Sequence, residues 1–465
     1  MRSGRLLALA LVVIAVGAFI FIYERHLPTS EQVKERADKV LANLKQDDVV
    51  GLDITNSHGS FQLEKKDDHW SLLKPIEAAA DDSAVGSLLT ALTNLKVERA
   101  LAPGVVKPAE YELDKPEMSV VIKAKDGSTA RLDVGGKTAL GSNRAVSIGD
   151  GRILLCSGYF TSDLDKDLGA WRSHRVVNLF SDQVASLEVK RPTGGVQAVR
   201  KGEHWELLEP VKDLADRDQI RNVISDLNEI RVQQFLDTGS DLAKLGLDHP
   251  RYDVTLVRTD GEGAVELAFG KVKEVDGKKR VACRRDGKDL FWVSDQAEVG
   301  LGKAPVLWRS KKVYPFDAWD VKEALFVSGK KKVDLKFEDG KWKLADGKDA
   351  NSTAALGRLS KLSGLEAEAF DLVKPAMAER GHITLTLSAG SDEAKDEKNA
   401  KTQQVTYTFY PPLAAGGRAL VAVDARPTVM SVEEFKVGQL LGNLDELSTL
   451  PTPTPVATAT PVPTK

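Results

Sequence analysis

Cysteine is almost missing from this 465-residue chain: Cys156 and Cys283 are the only two, and no C-x-x-C spacing occurs. A zinc ribbon or a multi-bridge disulfide scaffold needs more thiols than that, so both are excluded, and one Cys156–Cys283 bridge is left as the sole covalent option. Histidine is also scarce. Seven are scattered along the chain with no HxH or HExxH pair, so no metal site is indicated. Nor is there an excess of positive charge, since 65 Lys and Arg face 68 Asp and Glu for a net −3. That balance gives no overall field to hold nucleic acid.

Catalytic signatures are equally thin. There is no G-x-S-x-G elbow. "DVGGKT" (133–138) ends like a phosphate loop but has Arg131 where the first glycine should stand, so it reads as a strand-end turn. "DLDKDLG" (163–169) alternates carboxylates as a calcium loop does. Its sixth place is Leu168 and its twelfth is His174, where Gly and Glu are required, so it reads as a solvated helix start. His69 and His204 recur at one position, but the third occurrence of that position is Lys341, which fits a turn residue beside a core Trp better than a catalytic base. These absences favour a non-catalytic protein and imply no cofactor.

Long apolar runs are absent except at the start. Arg2 and Arg5 precede "LLALALVVIAVGAFIFI" (6–22), closed by Tyr23. Such a run, at 1.5 Å rise per residue, just crosses a bilayer core. Small residues at Ala15 and Gly17 would suit a cleaved signal peptide, but the following Phe-Ile-Phe-Ile would be stranded on the mature end. Residues 1–26 therefore read as an uncleaved anchor that meets lipid through 6–23, with the bulk of the chain outside the cytoplasm. Residues 27–46 follow as a membrane-proximal amphipathic helix, with Val33, Ala37, Val40, Leu41 and Leu44 on one face. At the other end, 449–465 holds five prolines without apolar periodicity and reads as a disordered, extended tail.

What the middle holds is repetition. "HWSLLKPIEAAAD" (69–81) and "HWELLEPVKDLAD" (204–216) share a frame 135 positions apart, and Trp342 continues it at 137 more. Asp81, Asp216 and Asn351 then stand as N-caps, since their side-chain oxygens accept the free amides of a first helical turn. Behind them run Val85, Leu88, Leu89, Leu92, Leu95 and Ile220, Val223, Ile224, Leu227, Ile230 at helical spacing. The third copy has Ala355, Arg358, Leu359, Leu362, Leu365. Seven Asp-Gly pairs, at 126, 150, 260, 276, 286, 339 and 346, mark tight hairpins. The predicted fold class is α+β: three tandem β-rich repeats (hairpin, helix, antiparallel meander) after one N-terminal transmembrane helix. The repeat domains run over 47–180, 181–317 and a divergent 318–448.

One surface stands out as a candidate ligand or partner patch. On a predicted hairpin, "KVKEVDGKKRVACRRDGK" sets Lys271, Lys273, Lys278, Lys279, Arg280, Arg284, Arg285 and Lys288 close together, a cluster of cations that suits an anionic polymer or lipid headgroups. The bland counterpart is a set of charges that keeps exposed strands soluble.

With its single N-terminal span, "VVGLDITNSHGSFQLEKKDDHWSLLKPIEAAAD" and the repeat "VASLEVKRPTGGVQAVRKGEHWELLEPVKDLAD", then "LGLDHP" and "LAFGK", the chain resembles the bacterial family known as domain of unknown function 4340. The likeness is strong over 47–317 and weaker over 318–448, where a long charged loop replaces a short hairpin. The resemblance lends no catalytic residues. It implies a single-pass protein of a bacterial inner membrane with an extracytoplasmic accessory role beside ABC-type transporters of the gliding-motility kind. The function expected is thus a non-catalytic, membrane-anchored scaffold or accessory subunit of an envelope transport system. The alternatives are a binder of envelope glycan or another ligand and, further off, a hydrolase.

Overall fold

Alternation makes the recurring phrase a strand. In His69–Lys74, His204–Glu209 and Lys341–Leu344 the Trp points inward while its neighbours point to solvent, and Trp70, Trp205 and Trp342 are all buried. The computed structural model describes residues 38–450, apart from 103, 105, 139–141, 203, 237–238, 299, 389–401 and 415. The proposed span at 6–23 and positions 451–465 of the tail lie outside the described residues. Among the described residues, no helix is long and apolar enough to cross a membrane.

Three antiparallel sheets carry the fold, of nine, nine and eight strands. In the first, the three hairpin strands Val49–Asn56, Gly59–Lys66 and His69–Lys74 lie on one side. The meander Met118–Ala124, Thr129–Lys137, Asn143–Ser147, Ile153–Ser157 lies on the other, with Val49–Asn56 pairing against Met118–Ala124. The second sheet repeats this order between Asp213 and Phe235 at its edges, through Val184–Lys190 paired with Tyr252–Arg258. The third lacks only the short edge strand beside the Trp strand. All seven Asp-Gly turns have their glycine at positive φ, the conformation that a tight reversal demands.

One face of each sheet packs on one helix: α1 (Asp82–Thr93), α2 (Arg217–Glu229) and α3 (Ser352–Ser363). The helix stripes read from the sequence are the buried ones. Each buried Val, Leu or Ile of these stripes contributes roughly 1.5–3 kcal/mol on leaving water. The caps are also as expected: Asp81 accepts from Ser83 and Ala84 N–H at 2.9 Å, Asp216 from Gln219 at 2.8 Å, and Asn351 from Ala354 at 3.1 Å. Asp216→Ala should lower stability by about 1 kcal/mol, seen as a lower urea midpoint at unchanged slope.

The Ala-Asp that follows the Trp strand, Ala-Asn in the third repeat, has a second use that is kept although the third connection is two residues shorter. Ala80, Ala215 and Ala350 N–H donate to the carbonyls of Trp70, Trp205 and Trp342 at 2.8–2.9 Å. The next N–H, of Asp81, Asp216 and Asn351, donates to Trp171, Trp308 and Leu447. The phrase thereby ties the hairpin to the end of its own repeat. Trp171 and Trp308 each open a copy of "WRS" (171–173 and 308–310) near the end of the first and second repeats, and both are fully buried. Two loop crossings also match: a Cβ on Gly135 would stand 2.0 Å from the Tyr111 carbonyl, and on Gly270 2.3 Å from that of Leu245. The Gly-Gly-Lys that resembles a phosphate loop is thus a close backbone crossing.

Two compact units result, one ending at Arg175 with the first sheet, the other beginning at Val176 with the second and third. In the first, residues 38–43 form turns with a bridge at Lys39, and Val40 and Leu41 join the core; residues 27–37 of the expected amphipathic helix lie outside the described residues. The third repeat adds α4 (Glu434–Leu441), where the first has the single turn Thr161–Leu164. Arg358, in the apolar stripe of α3, reaches the end of α4. It donates to the carbonyls of Gln439, Leu440, Gly442 and Asn443 at 2.7–3.0 Å and to Glu446 at 3.4 Å.

Candidate functional site

The eight cations of the basic hairpin do not form one surface. Strands Ala264–Val275 and Lys278–Arg285 do pair about the Asp276-Gly277 turn. Their alternation sends Lys273, Lys278, Arg280 and Arg284 to the face away from α2, and Lys279 and Arg285 to the other. On that outer face a small apolar cluster of Leu245, Leu247, Ala268, Ala282, Leu290 and Trp292 separates Arg284 from the tip. Arg280 is held by the Gln234 side chain at 3.2 Å and by Asp276 at 3.6 Å. Arg285 is structural: it pairs with Asp289 at 2.6 Å and donates to the Val176 carbonyl. Lys271, Lys273, Lys278, Lys279 and Lys288 are exposed.

Other sequence candidates are spent on the fold. In "DLDKDLG", Asp163 pairs with Lys166 at 2.7 Å, Asp165 accepts from Ser57, and Asp167 caps Leu168–Trp171 through Ala170 N–H. Cys156 and Cys283 are free rather than bridged. Burial pushes the Cys156 thiol up to about 12 and that of Cys283 higher still, so neither is a nucleophile. His69 is exposed and hydrogen-bonds Asp82 at 3.1 Å, beside Trp70.

The densest polar constellation was not singled out from sequence. Asp213, on the edge strand Asp213–Leu214, has a side chain 0% exposed, as does Arg426. Arg426 Nε donates to Asp213 Oδ1 at 2.7 Å and Nη2 to Oδ2 at 2.8 Å; Nη1 takes the Lys312 and Val313 carbonyls at 2.7 and 3.1 Å. Arg309, from the second "WRS", donates through Nε to Asp213 Oδ2 at 2.7 Å and pairs on its far side with Asp371. Asp371 is steadied by the Thr428 hydroxyl at 3.0 Å, and the Phe370 ring lies 4.3 Å from the Arg309 guanidinium carbon. Two carboxylates and two guanidinium groups cancel in charge. The Arg309 hydrogen bond holds the Asp371 carboxyl below the ordinary range, ahead of burial, which acts the other way. This cluster joins the second sheet to the third. A signal for it existed: the repeat frame puts Ala78 where Asp213 stands, and Arg172 where Arg309 stands.

The sequence frame and the sheets therefore describe the same repeat, whose third strand carries the buried Trp. A family model described as Domain of unknown function (DUF4340) matches residues 70–241 and, again, 205–382. The chain belongs to this family. The two DUF4340 matches start on Trp70 and Trp205, so the family pattern is laid down twice at the spacing of the structural repeat. Together they span about two thirds of the chain. No curated protein matches it.

Proposed function

We propose that this DUF4340 chain is a non-catalytic, membrane-anchored scaffold or accessory subunit of a bacterial cell-envelope transport system of the ABC type, tethered by residues 6–23 with its β-rich repeats outside the cytoplasm. The observation that carries this reading is where the repeated residues go. The shared Trp, Ala and Asp positions close hairpins, cap helices and seal each repeat, which leaves the outer faces free to differ. A repeated framework of that kind suits extended contact with a partner assembly. The buried Asp213–Arg309–Arg426 join supports it further, since it makes two repeats one body.

The test has two parts. Protease added to intact spheroplasts should remove a C-terminal tag without lysis, and a tag protected until lysis would overturn the topology. Tagged chain extracted in mild detergent should recover transporter subunits. Repeated recovery of none, from cells where the chain is anchored, would overturn the accessory role.

A further inference from the structure

Asp213 and Arg358 show that charges peculiar to one repeat can serve the fold through buried partners; a different case is a set of charges that converges in one repeat on an open cleft. On the outer face of the second sheet, pairing aligns Lys190, Asp253, Ala268 and Arg284 in one row across four strands. The same row is Thr55, Ser119, Asp133 and Ser147 in the first sheet, and Val327, His382, Thr408 and Ala422 in the third. Only the second surrounds a small residue with charges of both signs. Ala268 is the floor of a cleft of about 250 Å³ whose walls include Lys190, Asp253, Glu266 and Arg284.

Asp253, Glu266 and Arg284 flank the floor from three neighbouring strands. Glu266 lies two residues from Ala268 on the same strand, and so on the same face. Asp253 and Arg284 occupy the strands on either side of Ala268, about 10 Å apart at the backbone. They lie within each other's field, yet among the described residues no direct ion pair joins them. Burial raises the Asp253 carboxyl, against the pull of Arg284 and Lys190, as expected of a partly desolvated acid that lacks a direct partner. Lys190 is engaged by Glu188 at 3.2 Å, which leaves Arg284 as the cation facing the floor.

We propose that this cleft binds a small zwitterion of amino-acid to dipeptide size, its carboxylate on the Arg284 guanidinium and its ammonium between Asp253 and Glu266. Guanidinium grips carboxylate through two parallel N–H donors, and a pair of carboxylates suits an ammonium with three donors. The inference is independent of the scaffold reading, which rests on the anchor and the repeat framework.

Calorimetric titration of the detergent-solubilised full chain tests it, with L-alanyl-L-alanine, its C-terminal amide and its N-acetyl derivative as probes. The free dipeptide should bind saturably, and blocking either end should weaken binding about tenfold or more, as loss of a charged hydrogen bond does. Arg284→Gln and Asp253→Asn should each weaken it to a similar degree while melting as the native chain does; Lys273→Gln, beyond the apolar cluster, should leave it unchanged. No saturable binding of the dipeptide, binding of both blocked forms as tight as that of the free dipeptide, or native affinity in both cleft variants would overturn the proposal.

Discussion

Asp213→Ala is expected to destabilise the second compact unit by about 3–5 kcal/mol, far more than the hydrogen-bond count of one carboxylate suggests. The reason is what stays behind. Arg426 has a side chain 0% exposed and Arg309 one 6% exposed, and both direct Nε and Nη2 at Asp213. Without it, Arg426 keeps only backbone carbonyls, and Arg309 keeps Asp371, which is 58% exposed. Two guanidinium ions would then sit in low dielectric with half their counter-charge gone. Hydrogen exchange resolved by segment is the right measurement, because a chain of two units need not unfold in one step. Protection should fall in 205–214 and 419–432 and hold in the first sheet. Replacing Asp213, Arg309 and Arg426 together with apolar residues should cost much less than the single change, since no orphan charge remains. A loss under about 1 kcal/mol for Asp213→Ala would mean that the cluster is solvated, and the rigid join would go with it.

Arg358→Leu should also destabilise, by about 3 kcal/mol or more, although leucine is what the repeat pattern asks for. Leu88 and Val223 hold the equivalent places in α1 and α2 and are fully buried there. In α3 the guanidinium instead satisfies four carbonyls at and beyond the end of α4, groups that a helix C-terminus cannot satisfy within itself. Leucine would fill the stem's volume and strand those acceptors. Burial already holds the Arg358 pKa down, so the site carries a desolvation cost that only those partners offset. Urea unfolding of the native and variant chains, followed by far-UV dichroism, would show it; equal midpoints would mean that water caps α4 just as well.

Much of this fold was legible because its signals are local. Alternation places Trp70, Leu72, Trp205 and Leu207 inward, a period of 3.6 picks the buried stripe of each helix, and Asp-Gly pairs mark every tight reversal where they occur. Arg358 shows the limit of such reading. As a break in an apolar stripe it looks like a weaker copy, whereas it answers a helix end 81 to 85 positions away. The basic hairpin shows a second limit. Adjacent cations in sequence alternate between faces in a strand, so Arg284 and Arg285 serve a cleft and a structural clamp respectively.

By itself the sequence determined the tandem design: strand and helix periods, caps and turns are written in neighbouring residues, and a copied phrase must fold the same way each time. Only the tertiary structure decided which charges meet. Asp213 and Arg426 are 213 positions apart, and no local period encodes their pairing. It arises where two sheets pack and water is excluded, which turns ordinary surface residue types into a buried join.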